Sequence, residues 1–391
     1  MLTSSPEKDS QVVLQKLDNY QSENVQKALI QLLKPLGGMA QFVKPNQQVL
    51  LKPNLLSGNA PERAVTTHPE VVRAVIKLVQ ETGGIVSVGD SPGIGSPESV
   101  ARKSGILEVI EATGARFAPF TKSVKIKSKT GTFHELEVAQ DILDADVIIN
   151  LPKLKTHQMM GLTCAVKNMF GAVVGLRKPR LHLQAGTDKG FFALMLLELC
   201  EQLAPTLNIV DAVIGMEGEG PGSGDPIPIG ALLAGSHAQA VDTVATALVG
   251  MKPQQVWTQQ KALDSGRPFT HLDEILLCGD PLEKLRINNF RPAKMTDINF
   301  GLKGFLKNRL KHSLTARPVV DTTQCKLCNS CVKHCPPEAM RIKGGKLRID
   351  YDRCIRCFCC QELCPHGALH TKQGLLLKLH EFYTGNKKRY R

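Results

Sequence analysis

The sequence predicts an α/β N-terminal domain with a mostly parallel sheet over residues 20–280, followed by a small α+β C-terminal module over residues 318–372. Three observations predict it. From residue 20 to 280, short apolar runs bounded by turn residues alternate with segments whose apolar positions recur at helical spacing. After residue 317, eight cysteines fall into two runs of identical spacing. Between these parts the charge changes sign: residues 1–280 hold 26 Lys and Arg against 28 Asp and Glu, and residues 281–391 hold 23 against 8.

Residues 1–19 are polar and expected to form a mobile leader. Val25, Ala28, Leu29, Leu32 and Leu33 then mark one face of a helix over Ser22–Leu36. Gln48–Leu51 reads as a buried strand ending at Lys52-Pro53-Asn54. Thr67 is placed to cap a helix over His68–Thr82, and Ile85–Val88 is a strand running into the turn Gly89-Asp90-Ser91-Pro92-Gly93. A helix over Pro97–Thr113 follows, then a hairpin at 123–138 around Lys129-Thr130-Gly131. Asp146–Leu151 is a strand leading to Pro152-Lys153-Leu154-Lys155-Thr156-His157. Residues 189–203 are helical, and Leu207–Val213 is a strand that enters the glycine-rich run Glu217–Pro226. Ile229–Ala234, His237–Val249, Pro253–Asp264 and His271–Cys278 continue the alternation. Residues 281–317 form a basic linker with an amphipathic helix near Gly301–Ser313, and residues 373–391 form a basic tail with a short helix over Leu375–Tyr383.

Cys325, Cys328, Cys331 and Cys335, followed by Pro336, spell C-x2-C-x2-C-x3-C-P, and Cys354, Cys357, Cys360 and Cys364 with Pro365 repeat it 29 residues later. This is the spacing by which bacterial ferredoxins hold [4Fe–4S] clusters, the fourth cysteine of each run serving the other cluster. One cluster is therefore assigned to Cys325, Cys328, Cys331 and Cys364, the second to Cys354, Cys357, Cys360 and Cys335. The duplication predicts two lobes, each a short strand (Pro318–Asp321, Leu347–Tyr351), a cysteine loop and a helical turn after the proline. Residues 316–372 thus resemble the two-cluster ferredoxin domain. Zinc sites use paired knuckles without a third cysteine, and disulfides need an oxidising compartment. Cys164, Cys200 and Cys278 read as core residues, and Cys359 falls off the ligand register.

The remaining polar residues collect where predicted strands end, which is where open α/β sheets bind ligands. The candidate catalytic groups are Asp90, Lys153, Lys155, His157, Glu217 and Glu219, and the candidate cofactor-binding groups are Lys52, Asn54, Lys167, Asn168 and Asp211. The lysines suit an anionic small molecule. The carboxylates suit proton transfer or a divalent cation, and a further metal or organic cofactor is left open. Glu217–Pro226 reads as a mobile lid. Neither a P-loop nor a dinucleotide fingerprint follows any strand.

The strings LLKPNLL (50–56), VGDSPG (88–93), LPKLKTHQMMGLTCAVKNMFGAV (151–173) and VDAVIGMEGEGPGSGDP (210–226) resemble the family named domain of unknown function 362. The resemblance spans about residues 45–260, and that family often carries a C-terminal two-cluster ferredoxin module. Its recurrent polar positions would correspond to Lys52, Asn54, Asp90, Lys153, Lys155, Thr156, His157, Lys167, Asn168, Asp211, Glu217 and Glu219.

No nucleic-acid motif accompanies the net charge of +13, so the basic C-terminal part points instead to an acidic redox partner. No apolar run approaches a membrane span, no secretory signal is visible, and 12 cysteines indicate a reducing cytoplasm. The expected protein is a cytoplasmic redox protein whose clusters pass electrons to a substrate or cofactor in the α/β pocket. Two other readings use the same residues: a non-enzymatic carrier or accessory protein, and a racemase-like enzyme with structural clusters.

Overall fold

The computed structural model describes residues 10–128, 131–175, 177–294, 296 and 313–379. The expected helix near Gly301–Ser313 (apart from Ser313), the hairpin tip Lys129-Thr130 and the tail beyond Leu379 lie outside them. Sixteen strands are formed by the described residues. β1 (Gln11–Lys16), β2 (Gln48–Pro53), β3 (Ile85–Val88), β4 (Arg116–Phe117), β7 (Val147–Leu151), β8 (Lys153–His157), β9 (Gly161–Thr163), β10 (Leu207–Glu217), β11 (Asp225–Gly235) and β12 (Leu276–Gly279) form one sheet. Its main path is β12-β1-β11-β10-β7-β2-β3-β4, with β8 and β9 extending from β10. β10, β7, β2, β3 and β4 pair in parallel, and β11 pairs antiparallel with both β10 and β1. The N-terminal part is therefore an α/β domain with a largely parallel, mixed sheet.

Alternation along the strands explains its three layers. Val12, Leu14, Leu50 and Ile148 point to one face, under helices Lys189–Leu203 and Ala238–Leu248. Val13, Val49, Leu51, Val147 and Ile149 point to the other, under helices Ser22–Leu33, Pro69–Glu81 and Ile106–Thr113. Both faces of the central strands are thus covered, as parallel strands require.

Several expectations are corrected. The expected leader does not extend through residue 19: Gln11–Lys16 is an interior strand whose Val12, Val13 and Leu14 are buried. Three apolar residues flanked by glutamines are too few to show a period. The helix over 97–113 breaks into Pro97–Lys103 and Ile106–Thr113 at Gly105, which adopts a left-handed φ of 73°. Thr67 does not cap the next helix; His68 does, its Nδ1 accepting from Glu70 N at 3.2 Å. Thr67 instead clamps two strand ends, accepting from Asn54 N at 2.9 Å and donating to Leu151 O at 2.6 Å. Cys164 and Cys200 are core residues, whereas Cys278 on edge strand β12 is only partly buried.

The C-terminal module has two small sheets. β13 (Arg317–Val320) pairs with β16 (Leu369–Lys372), and β14 (Met340–Lys343) with β15 (Lys346–Ile349). A separate hairpin pairs β5 (Ser123–Lys127) with β6 (Glu135–Ala139). The helical turn of each cysteine lobe, Ser330–Lys333 and Cys359–Glu362, precedes the proline instead of following it. The residue before a proline is driven out of the helical region, so each helix stops there and a strand follows.

Candidate functional site

Three predicted strand ends converge at the carboxyl edge of the sheet. β2 brings Lys52 and Asn54, the turn after β3 brings Asp90, and β8 brings Lys155 and His157. The short helix Ala165–Asn168 adds Lys167 and Asn168. Lys52, fully buried, lies 2.9 Å from Asp90 Oδ1 and donates to Asn168 O at 2.6 Å. Asp90 Oδ2 accepts from Leu55 N at 2.8 Å, fixing the carboxylate. Gly171 lies directly over the pair: a Cβ there would fall 1.9 Å from Asp90 Oδ1 and 2.7 Å from Lys52 Nζ. Gly171→Ala should therefore break a buried ion pair, at a cost of about 3–5 kcal/mol in denaturant unfolding. An unchanged midpoint would contradict this placement.

A head-to-tail chain of amides anchors the site to the sheet. Lys155 Nζ donates to Asn54 Oδ1 at 2.9 Å, Asn54 Nδ2 to Asn168 Oδ1 at 2.8 Å, Asn168 Nδ2 to Asn150 Oδ1 at 2.8 Å and Asn150 Nδ2 to Asn208 Oδ1 at 2.9 Å. Each bond polarises the next, which fixes the chain's direction. Asn208 was not anticipated, because a buried asparagine inside an apolar strand gives no local signal.

These groups line one cavity, closed on its far side by the second cysteine run. Asn54, Asp90, Lys155, His157, Lys167 and Asn168 share it with Cys359, Glu362 and Leu363. Lys178 and His182, on helix Arg177–Ala185, complete the wall. Lys178 and His182 were missed, because that helix reads as an ordinary basic surface segment. Glu362 was missed because it falls between cysteines that seemed to explain the whole stretch.

The electrostatics of the cavity follow from burial. Burial pushes the Lys155 ammonium down to about 7, with Glu362 opposing and Lys167 and Lys153 adding to the shift. Burial likewise lowers Lys178 to about 7, although its ammonium is held by Ser91 O, by Ser91 Oγ at 3.0 Å and by Pro92 O at 3.0 Å. Lys167 is 8% exposed and has Phe170 as a cation–π neighbour at 4.8 Å, with no hydrogen-bond acceptor of its own among the described residues. Its charge faces the cavity.

His157 has a defined tautomer. Its Nδ1 accepts from Met159 N at 3.1 Å and Met160 N at 3.2 Å, so the ring proton sits on Nε2. Burial, then Lys167, His182 and Lys155, holds this imidazole well below its ordinary value. Nε2 has no hydrogen-bond partner among the described residues, and Glu362 Oε2 stands 3.8 Å away. A metal ligand would need that nitrogen bare, whereas His157 presents a neutral Nε2–H at the cavity wall. Nitrogen-15 spectra should show one neutral Nε2–H tautomer throughout about pH 5 to 8. An imidazolium signal near pH 6 would contradict this.

Other predicted residues go elsewhere. Lys153 and Asp211 form a closed pair at 2.8 Å, bridged by the Tyr20 hydroxyl at 2.9 Å and 2.6 Å. Burial pushes the Asp211 carboxyl up, but Lys153 and Tyr20 hold it below its usual range. This network pins the N-terminal segment to the sheet and does not line the cavity. Glu217 pairs with Arg291 at 2.6 Å. Glu219 meets Lys294 and His370, each at 2.7 Å, and so ties its loop to the cysteine module. Glu217–Pro226 is pinned further by Gly220, which donates to Thr156 Oγ1 at 3.2 Å. It is a strut, not a mobile lid. Asp90, Asp211, Glu217 and Glu219 each have their own cation and do not gather as a cation site.

The cysteine runs fold as a repeat. Cys325 N and Cys354 N bond Asp321 O and Asp350 O at 3.1 and 3.0 Å. Ala339 N and Ala368 N donate to Cys335 Sγ and Cys364 Sγ, both at 3.3 Å. Left-handed residues recur 29 positions apart, Leu327 with Arg356, Asn329 with Phe358 and Glu338 with Gly367, curling each loop about its cysteines. Cys325, Cys328, Cys331 and Cys364 line one small cavity, so the fourth cysteine there comes from the other run. Burial, then the thiols of Cys364, Cys328 and Cys325, pushes Cys331 up to about 11. On Cys335, burial acts first and the thiols of Cys357 and Cys354 add to the upward shift. Four cysteines lining one small cavity, one of them accepting a backbone N–H at its sulfur, reproduce the ligand grouping that the spacing assigns to a cubane. The runs differ in depth. Cys328 is exposed, whereas Cys357, Cys359 and Cys360 are buried, and Cys357 and Cys359 pack into the core of the α/β domain. Cys359 is therefore a cavity-wall residue.

The family described as domain of unknown function (DUF362) matches residues 49–247. The chain belongs to this family. The DUF362 match contains every cavity residue that the α/β domain contributes. A 4Fe-4S dicluster domain matches residues 317–365, making the C-terminal module a ferredoxin-type, iron–sulfur-binding domain. The chain is 39% identical over 302 residues to the thylakoid-associated protein sll1697 of Synechocystis sp., covering 77% of this chain and 94% of that protein. A lactate racemase apoprotein from Thermoanaerobacterium thermosaccharolyticum aligns with a TM-score of 0.38 and 10% identity, over 61% of this chain and 57% of the racemase chain. Among the described residues no helix is long and apolar enough to cross a membrane.

Proposed function

We propose that this chain is a redox protein holding two [4Fe–4S] clusters that deliver single electrons to a small anionic molecule bound in the cavity. The observation that carries this reading is the shared wall: Cys359 and Glu362 of the second cysteine run face the same space as Lys155, His157 and Lys167. Cys325, Cys328, Cys331 and Cys364 would hold one cluster, and Cys354, Cys357, Cys360 and Cys335 the other. Such clusters supply one-electron chemistry at potentials tuned by hydrogen bonds and burial.

The chain's own residues would do the rest. Lys167 and Lys155 attract the anion, and the Nε2–H of His157 donates to it. Lys155, lowered to about 7, is half-protonated at pH 7 and, like Lys178, is able to give up a proton there. The depth difference sets a direction, with an acidic redox partner docking at the exposed Cys328 side beside Lys326 and Lys333 and the ligand lying at the buried end. A reducing, cytoplasmic setting suits the eight thiolates.

The cluster count is testable directly. Anaerobically reconstituted protein should contain about eight irons and eight labile sulfides per chain, and should show two interacting paramagnets when fully reduced. About four irons and one isolated signal would overturn the two-cluster reading.

A further inference from the structure

Outside the inner cavity a second, wider cleft runs between the α/β domain and the cysteine module. Ile94, Gly95, Glu362 and Leu363 line both spaces, so the cleft opens off the cavity. One side is built from the loop Ser57–Asn59, from Arg63, and from Ser99 and Lys103 on helix Pro97–Lys103. The other side is built from Ser223 and the stretch Cys364–Gly367 with His366.

The lining is mostly polar, and Glu362, at the junction, is its only carboxylate among the described residues. Arg63 and Lys103 come from separate elements and converge on the cleft. The neighbouring Arg102 has its own partner in Glu98 at 3.0 Å, whereas Arg63 and Lys103 have no carboxylate of their own among the described residues. The Lys103 stem lies beside the loop, so close that a Cβ on Gly58 would fall 2.7 Å from Lys103 Cδ. Ser57 Oγ accepts from Asn59 Nδ2 at 2.9 Å, which leaves its own proton to donate into the cleft. A guanidinium, an ammonium and hydroxyls, with the lining carboxylate Glu362 at the junction, are the groups that hold a phosphate or carboxylate.

We infer that the outer cleft is a second anion subsite, so the molecule bound by this protein is elongated, with a reducible anionic head in the inner cavity and a phosphate or carboxylate at Arg63 and Lys103. This rests on the reading of the inner cavity as an anion site. It narrows the ligand class to molecules with two anionic ends and excludes a simple one-charge acid.

The test is calorimetric titration of full-length, cluster-loaded protein without oxygen, using inorganic phosphate and then linear α,ω-bisphosphonates of increasing length. Wild type should take two phosphates per chain, Arg63→Ala/Lys103→Ala one, and Lys167→Ala one. A bisphosphonate of matching length should bind wild type roughly 100-fold more tightly than phosphate, an advantage that either variant loses. A single phosphate on wild type, unchanged binding by the Arg63→Ala/Lys103→Ala variant, or no gain from any bisphosphonate would overturn the second subsite. If Lys167→Ala keeps both phosphates while the outer variant loses one, the inner reading fails and the outer subsite stands. Arg63 and Lys103 are exposed, and an unfolding midpoint equal to wild type confirms that the variant is folded.

Discussion

Cys360→Ala should leave the cavity able to bind its anion and unable to have it reduced. Cys360 is buried between Cys359 and Glu362, which form the cavity wall, and it belongs to the run whose loop packs into the α/β core. Its loss should remove the cluster of Cys354, Cys357 and Cys360, lowering iron by about four per chain while the signal of the other cluster persists. Cys335→Ala should remove that same cluster although Cys335 sits in the first run, because the crossed spacing assigns its thiol to the group of Cys354, Cys357 and Cys360. Phosphate titration reports binding, and anaerobic single-turnover mixing reports electron delivery. Turnover by Cys360→Ala with its cluster shown to be absent would favour a racemase-like enzyme with structural clusters. A wild-type protein that exchanges electrons only with a partner protein would favour the carrier.

Lys167→Ala should weaken anion binding roughly 10- to 100-fold, the worth of one charge-assisted hydrogen bond in a dry site. The ammonium has no competing acceptor among the described residues, so little of its interaction is already spent within the protein. The pH dependence has a defined sign. Lys155 and Lys178, lowered by burial to about 7, are charged below that pH and neutral above it. Glu362 and Asp90 raise Lys155, and Lys167 and Lys153 lower it, so the ligand's own charge will move the midpoint upward. Anion affinity should therefore fall as pH rises through about 7. Stability should move the other way, because between about 7 and the ordinary lysine value the unfolded chain binds the protons that the folded lysines refuse. Affinity lost while the fold tightens separates titration from unfolding; affinity flat across that range would contradict the charged-lysine account.

The parts that were legible in the sequence are those with a local code. The cysteine spacing gives the module, and it also gives the crossed grouping of Cys364 with the first run, which the small cavity reproduces. Alternating apolar runs gave β2, β3 and β7, and their polar ends gave Lys52, Asn54, Asp90, Lys155 and His157 as one cluster, to which the family resemblance adds Lys167 and Asn168. What failed was pairing over distance. Lys153 and Asp211 look identical in type to Lys155 and Asp90, but Tyr20, some 190 positions from Asp211, turns them into a closed structural lock. Glu217 and Glu219 read as catalytic carboxylates until Arg291, Lys294 and His370 are placed beside them. Lys178, His182 and Glu362 enter the cavity only because a helix and the cysteine module fold over it. Ile229–Ala234 reads as a strand with no direction of its own, and the antiparallel return of β11 depends on the loop at Glu217–Asp225.

The most direct test of electron delivery to the cavity uses dialysed full-length protein, reduced without oxygen and incubated with a deproteinised extract of its own cells. Mass spectrometry then identifies what has been consumed and what has formed. The account predicts that an anionic molecule gains electrons with wild type, and not with Cys360→Ala or Lys167→Ala. An extract left unchanged by wild type, or changed equally by both variants, would contradict it.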